Sequence, residues 1–290
     1  MPHITMTRLL QFSAAHQNWE DNLTEAQNLE VFGLDASPHP AGYTYTLEVS
    51  VSGYTDHKTG LLLNIKEIDH LVRETITLPL NGKSINFELP EFFLHPVTPE
   101  TLTVYVVNEI IPRLPSNITL TKVSLSPLPN LQVQWESLEC QFERGKAPML
   151  LTRKYEFSAS HRLHSTALSN EENQNLFGKC NNPNGHGHNY ELEVTVSGPI
   201  DSKSGRIISL DQLDEIVNSQ VVDRYDHRHL NLDIPEFAEL IPTSENIIRV
   251  IWDRVSPALA EPIRLHTIKL RETARNFFEY SGEESDSHEK

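Results

Sequence analysis

The chain is one sequence written twice. Displaced by 145 positions, its 290 residues fall on themselves without a gap. Gln11-Phe12-Ser13-Ala14-Ala15-His16 lands on Glu156-Phe157-Ser158-Ala159-Ser160-His161. Tyr45 to Gly53 lands on Tyr190 to Gly198, and Leu89-Pro90-Glu91-Phe92 on Ile234-Pro235-Glu236-Phe237. A repeat this long is a duplicated domain, since solenoid units run to about 20–50 residues. Two copies of one architecture are therefore required, each near ordinary domain size. The positions the copies share are mostly apolar or Gly, which a fold needs. Those at which they differ fall on His, Cys, Asp and Glu, which a reaction needs.

Charge narrows the partners. The net charge is −16. Residues 1–145 carry 17 acids and 8 bases, hence −9; the remainder carries 23 and 16, hence −7. An acidic surface repels phosphodiester backbones, so nucleic acid is not an expected partner. A small phosphorylated ligand needs only a local cluster of cations. With two cysteines, Cys140 and Cys180, disulfides are not the expected source of stability. No basic stretch followed by an apolar run opens the chain, and no segment approaches 18 apolar residues. The expectation is a cytoplasmic protein with no membrane partner.

Each copy reads as strand, strand, helix, helix, strand, strand. In the second, Leu151 to Ser160 and Tyr190 to Ser197 have β-like patterns, joined by an Asn- and Gly-rich loop over 164–185. Ser209 to Val222 has helical spacing. A second helix runs from Thr243 to Val255, with Thr243 or Ser244 as N-cap. Leu265 to Leu270 and Asn276 to Tyr280 close a hairpin. The first copy repeats the order with Thr44–Ser52, Asn64–Leu78, Pro99–Leu114, Thr119–Leu125 and Gln132–Trp135. The join falls near Glu143 to Pro148. The expected domains are 1–145 and 146–281, followed by a charged, aromatic-free tail, 282–290, of disordered composition. A small sheet with two helices on one face leaves open edges, so self-assembly through edges is expected.

The second copy concentrates the chemistry. His161 ends a strand. His186-Gly187-His188 sets two imidazoles two apart, on one face of a strand. Three imidazoles with an open fourth position describe a catalytic zinc site. Cys180, six residues before His186 in a polar loop, reads as an inert small residue or as a thiol activated by a nearby dication. Cys140 has no such neighbours and reads as structural. Asp226-His227 reads as a polar turn or as an acid/base pair. Glu272, in a strand pattern, reads as solvated or as an inward acceptor for a guanidine-like ring edge.

These residues resemble the 6-pyruvoyl-tetrahydropterin synthase family and its relative, the 6-carboxytetrahydropterin synthases of queuosine biosynthesis. The resemblance covers roughly 150 to 281. It rests on Phe157–His161, Leu176 through His188, Asp226-His227 to Asn231, Glu245-Asn246 and Glu272-Thr273. The Cys-x5-His-Gly-His spacing resembles the pyruvoyl-forming branch; the carboxy-forming branch more often has Cys-x3-His-x-His. The resemblance implies an α+β tunnelling fold (T-fold), each domain a four-stranded antiparallel sheet with two helices on one face, assembling into barrels. It implies Zn2+ on His161, His186 and His188, Cys180 as general base, and Asp226 and His227 as proton relay. Glu272 would anchor a pterin ring, helped by backbone near Thr243 and Ser244. The substrate implied is 7,8-dihydroneopterin triphosphate, with triphosphate lost.

The first copy keeps His16 but carries Asp35 for Cys180, Ala41 for His186, Tyr43 for His188, Asn81-Gly82 for Asp226-His227 and Pro127 for Glu272. The expectation is a degenerate, non-catalytic domain that completes the assembly. If barrels hold three units, three chains give one barrel of first copies and one of second, a homotrimer. Two readings compete with the pyruvoyl lyase: the carboxy-forming synthase, and a zinc- or pterin-binding protein without turnover.

Overall fold

The structure is a computed structural model that describes residues 2–137 and 149–283. Cys140, the join near Glu143 to Pro148 and tail residues 284–290 lie outside the described residues.

In the first repeat β1 (His3–His16) and β2 (Ala41–Tyr54) pair antiparallel, with Phe12 opposite Tyr45 and Leu10 opposite Leu47. β3 (Ile118–Leu128) sets Leu125 against Leu47, and β4 (Leu131–Glu136) sets Val133 against Leu125. Directly opposed residues share a face, so the buried Phe12, Tyr45, Leu47, Val49, Val123, Leu125, Val133 and Trp135 form one apolar layer. Helices cover that layer. Between β1 and β2 lies α1 (Glu25–Phe32). After β2 come α2 (Ile65–Val72), a π-helical turn (Arg73–Thr77), α3 (Leu78–Leu80), α4 (Ile85–Glu88) and α5 (Pro99–Ile110). α2 and its extension bury Ile68, Val72, Ile76 and Leu80; α5 buries Leu102, Val106 and Ile110.

The second repeat has the same order. β5 (Met149–His161), β6 (His186–Gly198), β8 (Arg264–Thr273) and β9 (Asn276–Tyr280) are hydrogen-bonded in that sequence, and the short β7 (Arg228–His229) lies parallel to β5. β8 and β9 form the antiparallel hairpin. The helices are α6 (Asn170–Phe177), α7 (Leu210–Val217) with a π-helical turn (Asn218–Val222), α8 (Asp223–Tyr225), α9 (Leu230–Asp233) and α10 (Ser244–Val255). The Thr243 hydroxyl caps α10 by accepting from the Asn246 N–H, and Ser244 is the first helical residue.

α6 corrects the loop expected over 164–185. Its sequence is Asn- and Glu-rich with no apolar stripe, so periodicity does not reveal it. Its ends do: the Ser169 hydroxyl accepts from the Glu172 N–H while the Glu172 side chain returns to the Ser169 N–H, and Gly178 closes the helix at φ +52°. The fully buried Asn173 ties helix to loop, taking the Ser165 N–H and donating to the carbonyls of Ser165, Leu168 and Ser169. Asn28 is its counterpart in α1.

Packing does not follow the repeat boundary. One compact unit is the chain up to Leu151 together with Ser197–Asp211, the turn after β6; the other is Thr152–Val196 together with the chain from Gln212 onward. Among the described residues, no helix is long and apolar enough to cross a membrane.

Candidate metal and active site

Two strand ends of the second repeat converge, carrying three histidines. His161 closes β5, and His186 and His188 open β6 on the same face. One ring nitrogen from each lies within 4.8 Å of the others. His161 Nδ1 meets the Pro242 carbonyl at 2.8 Å, which turns its Nε2 toward His186 Nε2, 3.2 Å away. A ring nitrogen oriented by a backbone carbonyl presents its other lone pair as a ligand. His186 Nδ1 and His188 Nε2 are buried without a hydrogen-bond partner. Burial pulls His161 down to about 4, helped by the neighbouring His186, so the imidazole is neutral. The same burial, with His188, lowers His186. Three imidazole nitrogens this close together suit zinc.

Gly185, just before His186, has φ +73°, and a Cβ there would lie 2.7 Å from His229 Nε2 and 3.0 Å from the His161 carbonyl. Only glycine brings the β6 entrance this close to β5.

Glu272 on β8 faces inward. Its Oε1 lies 3.6 Å from His161 Nε2 and 3.7 Å from His188 Nε2, and its Oε2 accepts from Asn276. Cys180 lies in the turn after α6 (Gly178–Asn181) and is half-buried. Burial first, and Glu272 second, push its thiol up, so a cation is needed to bring it into range as a base. Tyr190, stacked on Phe157, is raised by burial and by Glu272 and Cys180, which places all three in one field.

Asp226 and His227 are joined, Nδ1 to Oδ2 at 2.7 Å, while Asp226 Oδ1 accepts the Ser158 N–H. The Ser158 N–H first, then His227, holds the Asp226 carboxyl below the usual range. His227 sits at φ +56°, its side chain 84% exposed. Among the described residues no side-chain hydrogen bond joins this pair to Cys180. Of the candidate phosphate cations, Arg162 donates to Asn181 and keeps a buried Nε without a partner, while Lys179 and Arg228 are exposed. Thr243 and Ser244 lie at the α10 start, following the Pro242 that orients His161.

The first repeat shows what remains when the ligands go. His16 Nδ1 pairs with the Tyr45 hydroxyl at 2.9 Å, and its ring stacks on Tyr43, which stands where the second repeat has His188. Asn81 still accepts the Ser13 N–H, as Asp226 does from Ser158, and Gly82 keeps the positive φ of His227. The backbone role survives there without the titratable groups. Residue-type comparison missed three supports: the Pro242 carbonyl, Gly185 and Asn276. Only Gly185 had a sequence signal, a glycine immediately before the His pair.

Fold and site together define a duplicated α+β protein in which, among the described residues, one cluster of three histidines could hold a metal ion. The model of the 6-pyruvoyl tetrahydropterin synthase family matches twice, over residues 5–137 and 150–283, and the chain belongs to that family. The 6-pyruvoyl tetrahydrobiopterin synthases of Drosophila melanogaster and Homo sapiens are each 45% identical to it, over 132 and 133 residues. Each alignment takes 46% of this chain, and 79% and 91% of those proteins. The solved 6-pyruvoyl tetrahydropterin synthase of Caenorhabditis elegans is 40% identical, covers 47% of this chain and 96% of its own, and superposes with a TM-score of 0.45.

Proposed function

We infer that the protein is a pterin synthase, a carbon–oxygen lyase that converts 7,8-dihydroneopterin triphosphate to 6-pyruvoyl-tetrahydropterin with loss of triphosphate. The observation that carries this is the convergence of His161, His186 and His188 beside Cys180 and Glu272, in a chain 45% identical to proteins named for that activity. The second repeat, 146–281, is the catalytic domain; the first, 1–145, is non-catalytic.

The three imidazoles hold zinc; their ring nitrogens lie within 4.8 Å of one another, and the buried His186 Nδ1 and His188 Nε2 have no hydrogen-bond partner, which supports that role. When bound, zinc supplies Lewis-acid polarisation of the substrate's side-chain hydroxyls and a positive field at the thiol. Cys180 takes the proton from the side-chain carbon. His227, oriented by Asp226, passes protons at the opposite end of the rearrangement. Glu272 accepts from the guanidine-like edge of the pterin, and backbone at Thr243 and Ser244 steadies the ring. Arg162, with Lys179 and Arg228, receives the triphosphate.

The test is product mass spectrometry after the zinc-loaded protein meets 7,8-dihydroneopterin triphosphate. A pyruvoyl product with free triphosphate is expected. A carboxy product with acetaldehyde moves the protein to the other branch with the same site; no product leaves a binding protein. Cys180→Ala is expected to lower turnover by about 10²–10⁴-fold while pterin and zinc still bind, read by equilibrium binding and metal analysis. The family is generally oligomeric. Three-unit barrels count to a homotrimer with its two repeats in separate rings, and a native mass of two or four chains removes that count.

A further inference from the structure

The first compact unit buries a guanidinium. Arg206 lies on the turn after β6, which packs with that unit, and is 5% exposed. Its Nη2 bonds Asp35, and its Nη1 lies 3.9 Å from the fully buried Glu100. The two prongs of one fork thus face two different carboxylates. The backbone of the turn is fitted to the same place. The Ile207 N–H donates to Glu100 Oε1 at 3.3 Å, and the Thr98 hydroxyl donates to the Gly205 carbonyl at 2.6 Å. Gly205 has φ +72°, and a Cβ there would meet Pro96 at 2.8 Å. The contact is not saturated: Glu100 Oε2 and Arg206 Nη1 are both buried without a hydrogen-bond partner. Burial pushes the Glu100 carboxyl up and Arg206 pulls it back, so its ionised form depends on the cation.

The 145-residue displacement shows what is particular to this cluster. Gly205-Arg206-Ile207 corresponds to Gly60-Leu61-Leu62, and Asp35 to Cys180. Leu61 is 51% exposed and brings no charge. Beyond burial, the dominant effect, Arg206 acts on His16, Tyr43 and Tyr45, and Asp35 acts on both tyrosines. His16 and Tyr43 stand at the positions of His161 and His188. Where the second repeat gathers three imidazoles, the first gathers two carboxylates around a cation that the chain itself carries.

We propose that Asp35 and Glu100 build a guanidinium-binding site in the first repeat, and that Arg206 is its resident ligand, supplied by the chain itself. The chemistry selects that class. A guanidinium is planar, stays protonated when buried, and presents its N–H groups in a fork that two carboxylates can share. An ammonium is a hydrated point charge that gives up its proton readily on burial. Removing one partner of a buried ion pair leaves the other charge uncompensated, so a vacated site keeps its demand for a cation. Tethering holds Arg206 at a high effective concentration, which closes the site to free ligands in the intact chain. The first repeat thus keeps a ligand site of its own without metal ligands, whether or not the second repeat turns over a pterin.

The experiment removes the ligand and returns it. In the full chain, Arg206→Ala deletes the atoms that ethylguanidinium supplies. The variant is expected to bind ethylguanidinium in titration calorimetry, where wild type binds none. Its melting midpoint is expected to fall by about 10 °C, and ethylguanidinium at about a hundredfold excess over Kd to restore more than half of that loss. Ethylammonium at the same ionic strength is the control for charge alone. Combining Arg206→Ala with Glu100→Gln is expected to weaken ethylguanidinium binding at least about tenfold. An Arg206→Ala chain that folds only when refolded with ethylguanidinium supports the proposal equally. No gain over ethylammonium in binding, midpoint or folded yield overturns it. So does binding that survives unchanged in the double variant, or wild type taking up ethylguanidinium as well as Arg206→Ala does.

Discussion

His16 and His161 are the same residue of the repeat in two employments. His161 is turned by a carbonyl so that its free nitrogen faces two other imidazoles. His16 is bound to Tyr45 and buried beside Arg206. Burial first, and the guanidinium second, hold His16 down to about 4 against 6.5 in an unfolded chain. Between those values the unfolded chain binds a proton that the folded chain refuses. Stability therefore falls as pH drops from about 6.5 to 4, by up to ~3 kcal/mol for this group. His16→Gln, which keeps a partner for Tyr45, is expected to show a flatter pH dependence of chemical denaturation than wild type across that window. His227 carries a different tension. A non-glycine residue at φ +56° is strained by roughly 1 kcal/mol, and the first repeat has Gly82 in its place. His227→Gly is expected to raise stability by about that amount while turnover falls, the usual exchange where strain serves a site. A variant that loses stability together with activity would show that the histidine's contacts outweigh its backbone.

At the scale of elements, the first strand of each repeat is clamped to the helix above it. Arg8 holds Asp69, and Arg153 holds Asp214, each through two parallel N–H···O bonds. The second clamp is less exposed, 16% and 29% against 33% and 40%, and Asp214 also accepts the Tyr155 hydroxyl at 2.8 Å. Asp214→Ala is expected to cost about 2 kcal/mol, since it removes the shared acceptor of the Arg153 guanidinium and the Tyr155 hydroxyl. Asp69→Ala should cost under ~1 kcal/mol, as exposed pairs do. Equal losses on urea titration would refute the burial argument. Strands, α5, α7 and α10 were legible in the sequence because each has an apolar face that must be buried. α6 was not, because capping and one buried asparagine hold it instead. The π-helical turns after Val72 and Val217 were equally silent, being hydrogen-bond slips within an unbroken apolar pattern. Of the site, the proximity of His161, His186, His188 and Glu272 was legible because chemistry restricts residue type. The contact of Arg206 with Asp35 was not: comparing only His, Cys, Asp and Glu between repeats passes over Arg206 against Leu61, although Arg206 bonds Asp35 and lies 3.9 Å from Glu100.

For the whole molecule, duplication with unequal loss predicts half as many metal ions as repeats. The second repeat brings three ring nitrogens within 4.8 Å of one another. The first has His16 turned to Tyr45, Tyr43 stacked upon it, and Arg206 nearby as a fixed positive charge. A dication would have to displace a buried cation and break a buried hydrogen bond to enter there, with one nitrogen ligand to receive it. Metal analysis of the purified, zinc-saturated chain is therefore expected to give one ion per chain. His16→Ala should leave that number unchanged, and His186→Ala should abolish it. Ligand binding to the folded form adds RT ln(1 + [L]/Kd), about 4 kcal/mol at a thousandfold excess over Kd. Chelation should accordingly destabilise the second compact unit, and calorimetry of the His186→Ala chain should show no further effect of chelator. Two ions per chain, or a chelator effect surviving in His186→Ala, would place metal where the first repeat has given up its ligands and would undo the division of labour between the copies.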